Sequence, residues 1–78
     1  MRQRKPTLFF SFAATAAAME AERLCREAGQ PGRLVPVPRQ ITAGCGLAWM
    51  TSPEHGDALR AFFEAEGLEY EGAQVIEF

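Results

Sequence analysis

Apolar positions along the chain follow two alternating rhythms. Leu8-Phe9-Phe10-Ser11-Phe12 is short and aromatic, which predicts a strand over residues 7–12. Phe9 has the opposite parity to Leu8, Phe10 and Phe12, so both faces of this strand are apolar, as in a central strand covered on both sides. From about residue 14 to 28 the rhythm becomes helical. Ala14, Ala17, Ala18, Ala21, Leu24, Cys25 and Ala28 form one stripe, with Gly29 and Pro31 as the stop. Residues 33–38 read as a strand whose prolines, Pro36 and Pro38, make it an edge strand or make it leave the sheet early. A loop over 39–46 leads to a third strand, Leu47-Ala48-Trp49-Met50-Thr51. Ser52-Pro53-Glu54 then opens a helix, with Ser52 as N-cap, Pro53 at the first helical position and Ala58, Leu59, Phe62 and Phe63 facing inward. That helix stops at Gly67. Leu68-Glu69-Tyr70, Gly72 and residues 75–78 make a last, kinked strand.

The order βαββαβ predicts an α+β, ferredoxin-like two-layer sandwich: an antiparallel sheet with both helices on one face. The other face then has no cover within the chain. Phe9 and either Trp49 or Met50 point to it, and a second copy of the chain or a partner domain is expected to close it as a homodimer or hetero-assembly.

At 78 residues the chain is read as one domain, with residues 1–6 as a flexible basic tail carrying Arg2, Arg4 and Lys5. Hydrophobic residues are 47% and charged residues 23%, in the range of a folded domain rather than a disordered one. The net charge of −2 gives no drive toward nucleic acid or an anionic membrane. The basic start followed by an apolar run imitates a secretory signal peptide. The run nevertheless divides into a strand and an Ala-rich helix that continues into Glu20-Ala21-Glu22, so the expectation is a mature cytoplasmic protein.

Two cysteines and one histidine cannot supply four zinc ligands at usual spacing, and neither metal nor cofactor is expected. No phosphate loop and no Ser–His–acid set is present. Only residues 39–47 have the composition of a site. Gly44 and Gly46 flank Cys45, giving a visiting molecule close access, and Arg39 could fold back to favour the thiolate, the reactive form. The competing reading is a glycine-rich turn with an incidental small residue. Cys25 reads as a small buried hydrophobe, with a resolving thiol for Cys45 as the alternative. His55 reads as an exposed helix residue. It lies about five strand residues from Cys45, roughly 17 Å, too far for a Cys–His dyad. Glu64, Glu66, Glu69 and Glu71 read as a solvated acidic face.

The stretch from Gly32 to Ala48, with Pro36-Val37-Pro38-Arg39 followed by Cys45-Gly46-Leu47, resembles the signature of the selenium/sulfur (Se/S) carrier protein-like family, a small bacterial domain of unknown function. The likeness extends over nearly the whole chain: a first strand ending in Phe, an Ala/Glu-rich helix ending in Gly, and a Ser-Pro-Glu helix start. It implies that Cys45 is the carrier thiol, that Arg39 is the signature arginine, and that Pro36 and Pro38 shape the loop. It also implies sulfur or selenium donor and acceptor proteins as partners, among them a carrier of the thiouridine-relay type. Where the family often has Pro-Ser-Thr this chain has Ala13-Ala14-Thr15, which removes a serine cap, and Thr42 stands where Ser is frequent.

Three readings follow. In the first, Cys45 accepts and passes on a chalcogen as a persulfide or selenosulfide, a carrier or accessory role rather than that of a stand-alone enzyme. In the second, the chain is a non-catalytic interaction module using the open sheet face and Pro36–Pro38, with Cys45 structural. In the third, Cys45 and Cys25 form a redox switch.

Overall fold

The computed structural model describes residues 5–41 and 44–77. Six elements carry the fold, with one short 3-10 turn: β1 (Pro6–Ser11), α1 (Thr15–Ala28), β2 (Arg33–Pro36), β3 (Leu47–Thr51), the 3-10 turn (Pro53–His55), α2 (Gly56–Ala65) and β4 (Gly72–Glu77). The strands form one antiparallel sheet in the order β2-β3-β1-β4. The apolar first strand is interior, as its two-faced pattern requires, and the proline-bearing β2 is an edge.

Register assigns the two faces. Phe10 pairs with Trp49 and Ala73, and Leu8 with Thr51 and Val75. Phe10 and Trp49, with Leu8 and Phe12, meet Ala18, Ala21 and Cys25 of α1 and Leu59 and Phe63 of α2 in one buried cluster. Both helices therefore lie on this face. Alanine at 18 and 21 lets α1 sit close to the sheet, while Phe63 stacks edge-on against Phe10 at 5.2 Å and against Phe12 at 6.2 Å. The Trp49 indole N–H donates to the Pro31 carbonyl at 3.1 Å, which offsets the cost of burying that donor.

The opposite face departs from the sequence expectation of an uncovered surface. Phe9 and Met50 do point there, but Phe9 is fully buried. The β2–β3 connection folds back across the sheet and seats Ile41 on Phe9 and Ala48, with Val35, Val37, Met50 and Ile76 around them. The cover comes from this chain, so the premise of an open face does not hold. A turn joining the Ile41 amide to the Pro38 carbonyl (3.0 Å) and a bond from the Val37 amide to the Gly46 carbonyl (3.0 Å) hold the returning segment.

Element boundaries differ from the expected ones where local hydrogen bonding decides. β2 stops at Pro36 because its continuation turns over the sheet. Ser52 makes no side-chain cap. Its carbonyl instead accepts the His55 amide at 3.0 Å, winding the first turn as a 3-10 turn before α2 begins. α2 ends when the Leu68 amide bonds back to the Phe63 carbonyl (2.9 Å), which pulls residues 68–70 out of strand geometry. Ala58 is exposed and Phe62 half-buried; Leu59 and Phe63 form the inner side of α2. Pro6 belongs to β1, and the rest of the expected basic tail up to residue 4 lies outside the described residues.

Candidate functional site

Cys45 lies where three segments meet: the end of β1, the entry to α1 and the start of β3. Its amide bonds the Phe12 carbonyl at 3.4 Å. Gly44 packs so closely on Ala13 that any side chain there would run into the Ala13 carbonyl, so only glycine permits this approach. Gly46 has φ +76°, a left-handed turn that sends the chain into β3. The Gly44 amide donates to Glu71 Oε1 at 3.3 Å, and the Glu71 amide donates to the Ser11 carbonyl at 2.7 Å. The two glycines and one glutamate thus pin the cysteine against the top of the sheet.

The sulfur is half-buried against the helix-side core. Among the described residues its polar neighbours are both from Leu47: the amide donates to Sγ at 3.4 Å, and the carbonyl lies 3.6 Å away, within reach of the S–H. One residue therefore serves both protonation states, since the amide donor suits an anionic sulfur and the carbonyl suits the thiol. Nearby, α1 begins at Ala14 with no side-chain cap and no acidic residue in its first turn. The missing serine cap noted in the sequence leaves those backbone donors without a side-chain acceptor.

The remaining candidates fall elsewhere. Arg39 is exposed on the turn that carries Ile41 to the opposite face, and among the described residues no hydrogen bond or ion pair joins it to Cys45. Two residues on, Ile41 anchors this turn in apolar surface on the other side of the sheet. Pro36 is exposed at the end of β2 and Pro38 opens the turn, so both shape the connection that covers Phe9.

Cys25 is fully buried, and desolvation pushes its thiol up to about 11. It lies eleven residues down α1 from Ala14, about 16 Å at the helical rise, beyond the roughly 7 Å that a disulfide with Cys45 would span. The resolving-thiol and intrachain-switch readings lose their geometry. His55 lies beyond the far end of β3, its ring 3.9 Å from the Glu54 carboxylate. Thr42 lies outside the described residues.

Sequence reasoning missed Glu71, which it placed in a solvated acidic face, and the Leu47 backbone. The Gly44–Glu71 pair spans 27 residues, so no local spacing could have signalled it. Among the described residues no group of three or more His, Cys, Asp or Glu could hold a metal ion, and no helix is long and apolar enough to cross a membrane.

A family model described as "Putative Se/S carrier protein-like" matches residues 7–74. The chain belongs to that family. The matched span runs from β1 into β4 and includes Arg39, Gly44, Cys45 and Gly46. No curated protein and no solved structure matches the chain.

Proposed function

We propose that the chain is a sulfur or selenium carrier in which Cys45 holds the chalcogen, as a persulfide or selenosulfide, between a donor and an acceptor protein. The observation that carries this reading is the Leu47 amide directed at a half-buried sulfur from 3.4 Å. A thiolate and a deprotonated persulfide are both anions, and a fixed N–H donor lowers the cost of either. Gly44 and Gly46 place no side chain of their own beside Cys45, and family membership supports chalcogen as the cargo.

In the loading step the Cys45 thiolate attacks the outer sulfur of a donor persulfide. A new S–S bond forms to Cys45, the donor's S–S bond breaks, and the donor cysteine leaves as its thiolate. Delivery repeats the exchange with an acceptor thiolate, so no net oxidation occurs. A donor carrying terminal selenium gives an S–Se bond at Cys45 by the same route. The carrier works as one ferredoxin-like βαββαβ domain in the cytoplasm, and its donor and acceptor dock at the Cys45 end of the sheet. Arg39, exposed on the neighbouring connection, meets the incoming protein rather than the thiol.

Mass spectrometry after incubation with a cysteine desulfurase and free cysteine tests the reading. The expected result is a gain of one sulfur atom on Cys45, reversed by a reducing thiol and absent in Cys45→Ser. No adduct with that desulfurase or with a small-molecule persulfide would refute it. The rival interaction module, with Cys45 structural, is favoured by the packing of Cys45 against the helix-side core. It predicts that Cys45→Ser retains both partner binding and cellular phenotype, whereas a carrier loses function with its fold intact.

A further inference from the structure

The pole of the sheet opposite Cys45 holds an open cleft of about 580 Å³, within the size range of small-molecule sites. It lies between the start of β1, the turn before β2 and the β3–α2 junction. Its polar side chains are cationic or neutral: Lys5, Arg33 and His55 beside Thr7 and Ser52. No carboxylate is among the described lining residues, although acidic residues outnumber basic ones in the chain by ten to eight. Lys5 and Arg33 form no ion pair among the described residues, and the nearest carboxylate to His55 is Glu54 at 3.9 Å. Met50 and Pro31 supply an apolar wall.

We propose that this cleft binds a small organic molecule with an oxyanion head, phosphate or carboxylate, on an apolar body. Arg33 grips the head through its planar fork, Lys5 and the Ser52 hydroxyl complete its shell, and the body lies on Met50. The cleft and the thiol are separated by the length of β3, so occupancy here does not depend on the carrier chemistry.

Two-dimensional amide NMR of the full chain, titrated with phenyl phosphate and in parallel with benzoate, tests the proposal. Saturable shifts confined to the amides around Arg33, Ser52 and His55 are expected with at least one probe. The preferred probe tells phosphate from carboxylate. Inorganic phosphate alone should bind more weakly, lacking the apolar body. Arg33→Gln should weaken binding by about tenfold or more, the worth of a charged hydrogen bond. Cys45→Ser should bind like the parent, so a failed carrier and a failed cleft give different results. Shifts scattered over all basic surface residues, shifts unchanged in Arg33→Gln, or no saturation with either probe would overturn the proposal.

Discussion

Raising the pH should loosen this fold through one buried thiol. Cys25 is fully enclosed in the helix-side core, and desolvation holds its thiol up to about 11, against an ordinary value of 9.0. Between those two values the folded chain keeps a proton that the unfolded chain has released. Stability is therefore flat on this account below pH 9, falls as the pH rises toward 11, and levels off above it. Two pH units at about 1.4 kcal/mol each give a loss approaching about 2.7 kcal/mol. Against a total of about 4–12 kcal/mol for a chain of this length, that is a large fraction. The assay is urea unfolding at intervals from pH 8 to 11, run on the parent and on Cys25→Ala. Lysine, arginine and tyrosine titrations are common to both proteins, so the difference between the two stability curves isolates Cys25. That difference should close or reverse by roughly the stated amount as the pH rises. Parallel curves would show that the Cys25 environment does not penalise the thiolate, and the desolvation argument would fail. The same burial predicts that iodoacetamide at neutral pH modifies Cys45 first and reaches Cys25 only as the chain unfolds.

Other substitutions test the remaining contacts. Gly44→Ala should cost about 1–3 kcal/mol, because the new methyl meets the Ala13 backbone, and should slow Cys45 alkylation in the folded protein; unchanged values for both would deny the close approach. Phe63→Ala removes the ring that Phe10, Phe12, Phe62 and Tyr70 share and should lose about 3–5 kcal/mol in denaturant unfolding. Ile41→Ala should cost about 2–4 kcal/mol and raise binding of a hydrophobic dye, because it thins the cover over Phe9; an unaffected protein would mean that something other than the β2–β3 connection closes that face.

Much of the architecture was legible because it rests on short-range rules. Parity along residues 8–12 made β1 a two-faced central strand, the alanine stripe made α1, and β3 falls at Leu47–Thr51 as its apolar run requires. The signature around Cys45 was equally local, and so was the loss of the α1 cap at Ala14. Geometry between distant segments was not encoded in that way. Which way the β2–β3 connection folds depends on whether Ile41 gains more from burial on Phe9 than from solvent, a choice made by the assembled sheet. That choice covers a face that the pattern alone left bare. The hold of Glu71 on Gly44 and the separation of Cys25 from Cys45 likewise exist only once the strands are in register. Sequence by itself set most of the elements and singled out the candidate cysteine. The tertiary fold decided that residue's neighbours, because hydrogen bonds and burial act across space and take no account of chain distance.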